Sequence, residues 1–519
     1  MARINREKGR KDMRFLSSYL QDQKPKVKKI IYKDAIDFAK KSQGLSYQGA
    51  YAYLKRVLTS NKENHLICKG SQLGFTQAML NIVIVKLLNG FPSLYILPRD
   101  GAISDFSQAR FNTIIKSSAL ADEANVDNVH LKVLRGTALY LRGAGSREKL
   151  KEIPVRFLIL DERDDMQQEM VALARERLTG SLNTQEFSLS TPRLPDTGIF
   201  KEYKVRDQYK YFLKCIACRH SQTLDLETNL DLEQGFFYCE KCKKQWNHNQ
   251  KLNMLAKGEW QLVQKGNGLV GDHLSQLYSP TMTAKNIQQN WQLAQGDEAL
   301  LQVFYNSKLG LPYEAKGSRL TSELFDSCVD VVEMDGNFVM GIDVSISSPH
   351  YVVLCKNTDC GLIVEQTFRA TWQELPLLIQ TYKPSAYVID AQPETSRSKE
   401  LVKDWQAGYY CYYTRSDKTI NIDEDSHKVA ANRTEFLDRV FTRFNQNRIL
   451  VSSNCEHLQE LKSHLKALVR CYRVVRGLVE AYYTETDADH FCHALTYAEI
   501  AASIPNQQAY EIQDQAKFI

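Results

Sequence analysis

Along the first half of the chain, short apolar runs alternate with longer stretches whose apolar positions recur every three or four residues. These are the two periods that separate buried strands from helices. From Ile30 to Thr59 the spacing reads as helix, with little Gly or Pro. HLICKG then reads as a buried strand closed by a small-residue turn, and TQAMLNIVIVKLL as a buried helix, which gives a strand–loop–helix unit. SLYILPRD (93–100), VRFLIL (155–160) and EFSLSTPRLPD (186–196) read as further strands, each ending in a turn or an abrupt polar pair. Strands alternating with helices predict an α/β domain with a doubly wound parallel sheet.

The rhythm breaks between Lys214 and Trp246, where two CxxC pairs mark an insertion, and strand-like sequence resumes with WQLVQKGNGLVGDHLSQLYSP. A helical stretch covers 284–309, and Gly, Pro and mixed polar residues place a linker at 312–335. Beyond it FVMGIDVS, HYVVLC, LIVEQTFRA and AYVIDA predict four successive strands, followed by mostly helical sequence. The predicted divisions are therefore 1–29, 30–213, 214–247, 248–311, 312–335 and 336–519.

Composition narrows the class. A chain of 519 residues exceeds what one hydrophobic core organises, and 43% hydrophobic with 25% charged residues is ordinary for a globular protein. No window reaches the roughly 18 uninterrupted apolar residues of a membrane span. The basic start lacks the apolar segment and cleavage site of a secretory signal, so an intracellular protein without membrane association is expected. The net charge of +6 is mild, but Lys8–Arg14 and Lys24–Lys29 concentrate it in an N-terminal arm, suited either to DNA phosphates or simply to solvent.

Twelve cysteines in a reducing compartment do not make a disulfide framework. Cys215 and Cys218, then Cys239 and Cys242 twenty residues on, have the spacing of a zinc ribbon, two knuckles whose four thiolates surround a tetrahedral Zn²⁺. All four positions would be filled by protein, which predicts a structural metal.

Lys69-Gly70-Ser71-Gln72-Leu73-Gly74-Phe75-Thr76 is a divergent phosphate loop. Its Gly74 and Thr76 fit the end of the usual pattern, but Phe75 stands where the Lys belongs and the nearby cation is Lys69. Asp161-Glu162 closes the strand VRFLIL, where one carboxylate would hold Mg²⁺ and the next would polarise the attacking water. Ser190-Thr191-Pro192 closes the following strand with hydroxyls that can sense a γ-phosphate. Each string alone is an ordinary turn. Together, in this order and at strand ends, they predict an additional-strand P-loop ATPase that binds ATP. Arg142, Arg147, Arg175 and Arg177 are candidates for an arginine finger.

In the second half Asp343 lies on the first predicted strand, Asp390 ends the fourth and Asp489 opens the helix DHFCHALTYAEIAA. A ribonuclease H-like mixed sheet would gather these three acids around Mg²⁺ or Mn²⁺ for phosphodiester hydrolysis. Asp487, Glu394 and His490 are secondary ligand candidates.

With these motifs the chain resembles the large terminase subunits of tailed phages, most closely the lambda-like branch, over nearly its whole length. The displaced Lys69, the LILDE strand, the STP segment, the zinc-binding insertion, HLSQLYSP (273–280) and FYNSKLGLPYE (304–314) carry the resemblance. It implies an oligomeric motor in the host cytoplasm, not a stable virion component, which docks on the procapsid portal, pumps double-stranded DNA with ATP and cuts concatemers. A small terminase subunit would help choose the site. It also implies that Lys69, Gly74 and Thr76 bind nucleotide, Asp161 holds Mg²⁺, Glu162 is the catalytic acid, and Asp343, Asp390 and Asp489 are nuclease metal ligands. The chain is shorter than the lambda-type subunit, with little sequence after the last predicted helix for a portal-binding tail. Two other readings remain: a helicase or remodelling ATPase with an inactive ribonuclease H-like domain, and a non-catalytic zinc-ribbon DNA-binding scaffold.

Overall fold

A computed structural model describes residues 31–505, apart from 152, 332–333, 404–406, 416–417 and 476. The basic runs Lys8–Arg14 and Lys24–Lys29, and everything after 505, lie outside the described residues. The described residues form two compact units, one from 31–192 with 201–285 and the other from 193–200 with 286–505.

In the first unit seven strands run parallel in the order Asp207–Lys214, Val270–Leu274, Asn64–Lys69, Gln185–Ser190, Phe157–Asp161, Ser93–Leu97 and Thr137–Gly143. Antiparallel strands flank them, Glu259–Gln264 on one side and Leu131–Leu134 with Ala124–Asp127 on the other. The central strands are buried nearly end to end, which explains their continuous apolar runs. The helix Phe75–Leu88 is apolar around its whole circumference and buries ten of its 14 residues. Its buried Asn81 is satisfied by the Gln43 amide at 2.7 Å and by the Tyr47 hydroxyl at 3.0 Å.

The helix expected across 30–59 is interrupted. Ala35–Gln43 is capped by the Asp34 side chain and stopped by Gly44 in the left-handed region, and helical turns return only at Ala52–Leu58. Gly44 is the punctuation that the periodicity concealed.

The second unit is built on a mixed sheet. Asn337–Asp343, His350–Thr358 and Gly361–Ala370 form an antiparallel meander, and Ala386–Asp390 and Gly408–Thr414 add in parallel beside Asn337–Asp343. Lys428–Asn432 and Ile420–Asp423 extend that side, and Ile449–Ser452 with Val329–Asp330 extend the other. The mostly helical sequence expected after the fourth strand is a misreading. Strands occupy 408–414, 420–423, 428–432, 449–452, 468–475 and 478–485. Runs such as GYYCYYT and LVRCYRVV are rich in aromatic and β-branched residues, which pack well on a pleated surface. Within the segment read as a linker, Leu320, Phe325 and Cys328 are buried in this unit's core.

The helix His490–Ala502 lies directly on the first strand at Gly341. A Cβ added there would come within 1.9 Å of the Ala494 carbonyl oxygen and 2.3 Å of the Ala498 nitrogen. Backbone atoms cannot yield as a side-chain tip can. Gly341→Ala is expected to destabilise the unit by about 3 kcal/mol, the upper range for overpacking. Thermal unfolding checks this, and a melting profile matching wild type would show that the helix can lift off at little cost.

Candidate functional sites

A candidate nucleotide cleft follows from strand register. Cys68 pairs with Ser190 and Asp161 with Leu189, so the phosphate loop, the acidic pair and the hydroxyl-rich segment emerge side by side at the carboxyl ends of adjacent strands. Gln72 and Gly74 adopt φ of 54° and 83°, turning the loop tightly into the helix that Phe75 begins. A cleft of about 580 Å³ opens here, and Lys69, Ser71, Gln72, Gly74, Thr76 and Glu162 line it.

Two polar contacts tie loop to acids. Lys69 Nζ donates to Glu162 Oε1 at 3.0 Å, and Thr76 Oγ1 donates to Asp161 Oδ2 at 3.0 Å. Burial works against the Lys69 ammonium, but the charges of Glu162 and Asp161 outweigh it and raise its pKa, so Lys69 stays a cation. The Asp161 pKa is raised, first by burial and then by the charge of Glu162. Its Oδ2 also accepts the Tyr95 hydroxyl at 2.6 Å, while Oδ1 is buried without a partner. An unpaired buried carboxylate oxygen beside a Thr hydroxyl is a donor set that suits a hard divalent cation. Glu162 itself sits at φ 56°, and its side chain is 40% exposed against 6% for Lys69, so it faces the open cleft. Ser190 Oγ accepts the Asp164 amide at 3.0 Å, joining the strand end to the turn that follows Glu162.

Several cleft residues, Tyr47, Tyr51 and Arg110 among them, and Tyr95 beside Asp161, escaped the sequence reading. Tyr47 and Tyr51 supply an aromatic wall from the interrupted helical region, and Arg110 projects from a π-helical stretch, Phe106–Asn112. Tyr95 orients Asp161, and its one sequence signal was a polar-tipped ring in the otherwise non-aromatic buried strand SLYIL. None of the four arginines proposed from sequence lines the cleft. Arg142 donates to the backbone carbonyls of His130, Leu141 and Lys149, Arg147 pairs with Glu169, and Arg175 is held between Glu186 and Glu202. Burial opposes the ionised Glu202, yet Arg163 and Arg175 pull its pKa down to about 2. Arg175 is therefore part of a structural ion cluster.

The four cysteines converge. Their sulfurs all lie within 4.8 Å of one another, with Cys215 and Cys242 at 3.8 Å and Cys218 and Cys239 at 3.7 Å. A tetrahedron with bonds of about 2.3 Å has edges of about 3.8 Å, so these spacings fit Zn²⁺ and exclude disulfides. Both knuckles turn alike: the amides of Arg219 and Lys243 donate to the carbonyls of Cys215 and Cys239 at 3.0 and 2.9 Å.

In the second unit Asp343 and Asp390 end neighbouring parallel strands one position past the paired Ile342 and Ile389. Burial first, then the nearby Asp343 charge, pushes the Asp390 pKa up to about 7. Two carboxylates that repel at the mouth of a sheet are a fit for divalent cations. Asp489 opens the helix that packs on Gly341, and its Oδ2 lies 3.2 Å from His493 Nε2. His490 Nδ1 lies 2.8 Å from Asp343 Oδ2 and its ring stacks on Tyr351 at 4.5 Å. The three acids are not closed around one point, and among the described residues only the cysteines meet that stricter condition. Asp487 is exposed and accepts its neighbour Ala488's amide, whereas Glu394 pairs with Arg397 at 3.0 Å.

The folds and sites define a two-part enzyme, an ATPase followed by a nuclease. Two family models match the chain: the ATPase domain of the phage terminase large subunit gpA over residues 56–260, and the endonuclease domain of the same subunit over 269–333. Together they span just over half of it, and the chain belongs to the gpA-type phage terminase large subunits. The reading as a non-catalytic scaffold falls away with that membership. The ATPase match contains the phosphate loop, the acidic pair and all four cysteines, whereas the endonuclease match ends before Asp343. The large terminase of a thermophilic bacteriophage is similar at 12% identity, covering 88% of this chain and 97% of that one, with a TM-score of 0.34. The large terminase ATPase domain of a Thermus phage follows at 11% identity, 49% and 90% coverage and a TM-score of 0.32. The human cytomegalovirus terminase nuclease domain gives 9%, 36% and 94%, and 0.23. The assignment rests on the family models. No curated protein matches the chain. Among the described residues no helix is long and apolar enough to cross a membrane.

Proposed function

We propose that this chain drives double-stranded DNA into procapsids by ATP hydrolysis and cuts concatemeric DNA in its second unit. The observation that carries the motor reading is the pair of contacts Lys69–Glu162 and Thr76–Asp161, which joins a divergent phosphate loop to an acidic strand end. Lys69 and the amides of Gly70 to Thr76 hold the β- and γ-phosphates. Thr76 and Asp161 hold Mg²⁺, which when bound neutralises charge developing on the phosphates. Glu162 accepts a hydrogen bond from the attacking water and turns it toward the γ-phosphate. Tyr47 and Tyr51 offer ring faces to the base, and Arg110 supplies charge from within the cleft. Ser190 carries the change in occupancy into the next strand through its bond to the Asp164 amide.

In the nuclease Asp343, Asp390 and Asp489 hold Mg²⁺ or Mn²⁺, which when bound stabilises the charge of phosphodiester hydrolysis. His490 holds the Asp343 carboxylate in place through their 2.8 Å contact. The portal, a small terminase subunit and further copies of this chain are the expected partners, in the host cytoplasm. The direct test is ATP-dependent protection of DNA from external nuclease when the chain is mixed with procapsids. Protection should vanish without ATP, and ATP turnover that neither DNA nor procapsids stimulate would refute the motor reading.

The cysteine site is assigned to a structural Zn²⁺. Metal analysis should return about one zinc per chain, and chelation or Cys215→Ser should lower the unfolding temperature. Metal-free protein with unchanged stability on substitution would remove zinc from the account.

A further inference from the structure

The tips of the two cysteine knuckles carry a concentration of positive charge. Arg219 and Lys243 each follow the second cysteine of a pair, and each sits in the left-handed region, with φ of 63° and 57°. Glycine is the favoured residue in such a turn because a side chain is strained there. Both knuckles place a long cation in it instead, at equivalent positions of a repeated geometry. Lys241 and Lys244 add two more cations, and all four are exposed. Among the described residues none of the four makes an ion pair, although Lys243 Nζ lies over the Tyr238 ring at 5.1 Å, whereas Lys214 is committed to Glu259 at 3.5 Å. Within 214–220 and 239–244 the one carboxylate is Glu240, and His220 already engages it at 2.7 Å.

We infer that these paired tips are a phosphate-backbone clamp, a surface that grips duplex DNA without reading its sequence. This rests on the reading of the chain as a DNA motor and names where part of the grip resides. Four cations on a backbone fixed by four sulfurs form a pre-organised, almost purely electrostatic surface, as phosphate contact asks. A protein partner would need an apolar centre. The large apolar side chain exposed at the tips is Ile216, at 38%. The rival explanation is internal: four thiolates around Zn²⁺ leave two net negative charges, which neighbouring cations offset.

The double variant Arg219→Gly, Lys243→Gly separates these. Glycine relieves the backbone strain, so the ribbon should keep its zinc and its unfolding temperature while losing two charges. Full-length protein is titrated onto a fluorescent duplex of arbitrary sequence at several salt concentrations, beside wild type and a control, Lys62→Gln with Lys265→Gln, of equal charge loss. A clamp predicts binding about tenfold weaker near 0.1 M salt and a log–log salt slope shallower by about 1.8, one increment of 0.9 per lost phosphate contact. The control should move neither by a comparable amount. Duplex affinity and slope equal to wild type overturn the clamp, and a fall in zinc affinity alongside would assign the cations to charge balance. Failure of wild-type protein itself to bind duplex would count against the DNA-motor reading rather than against this surface alone.

Discussion

Glu162→Gln is expected to lower ATP turnover by about a thousandfold, within the range for loss of a residue that handles the proton of the attacking water. Glutamine keeps the size of the side chain and an oxygen to accept Lys69 Nζ, now 3.0 Å away, so the loop and its nucleotide affinity should be retained. The loss would therefore fall on kcat and leave KM near wild type. Steady-state hydrolysis alongside fluorescent-nucleotide binding measures both. Turnover within tenfold of wild type would remove Glu162 from the chemistry. Lys69 itself should not titrate near neutrality, since the two acids hold its pKa up.

The second large effect is at Asp390. Asp390→Asn should reduce divalent-metal-dependent DNA cleavage by at least about a hundredfold, because a neutral amide is a poor ligand for a hard cation. The same change should stabilise the metal-free protein. The Asp390 carboxyl titrates near 7 in the fold against 3.8 unperturbed, so its contribution to stability is complete below about pH 4 and drains away as pH rises through 7. Asparagine removes that loss. At pH 8 in chelator the variant should melt higher by on the order of 5 °C, a difference that shrinks as pH falls and is smallest near pH 4. Added Mn²⁺ should raise the wild-type melting temperature and leave the variant nearly unmoved. A variant that melts lower than wild type at pH 8 would mean that burial and the Asp343 charge do not strain the Asp390 carboxylate.

Much of both candidate sites was legible because the residues proposed for them sit where strands end, and strand ends announce themselves. VRFLIL stops at Asp161-Glu162, and HLICK stops at the loop that Gly74 and Thr76 close. The cysteine spacing was likewise local. What stayed hidden depends on distant neighbours. Tyr95 meets Asp161 only because their strands are adjacent, and Arg110 reaches the cleft through a π-helical stretch that no period reveals. The strands after Asp390 were lost because their short alternating runs are broken by helices such as Arg433–Asn445, so neither period dominates. The linker reading failed for a related reason: Leu320, Phe325 and Cys328 are too sparsely spaced to register as an element, yet each fills a core position.

The contact at Gly341 bears on how cutting is controlled. With strand and helix backbones touching, the helix that begins just after Asp489 can neither slide along nor roll over the strand that ends in Asp343. On the proposed assignment of Asp343 and Asp489 to the cutting site, the elements that carry them keep a fixed register, so an enzyme that must spare the genome while pumping it would regulate by withholding the strand from the blade rather than by taking the blade apart.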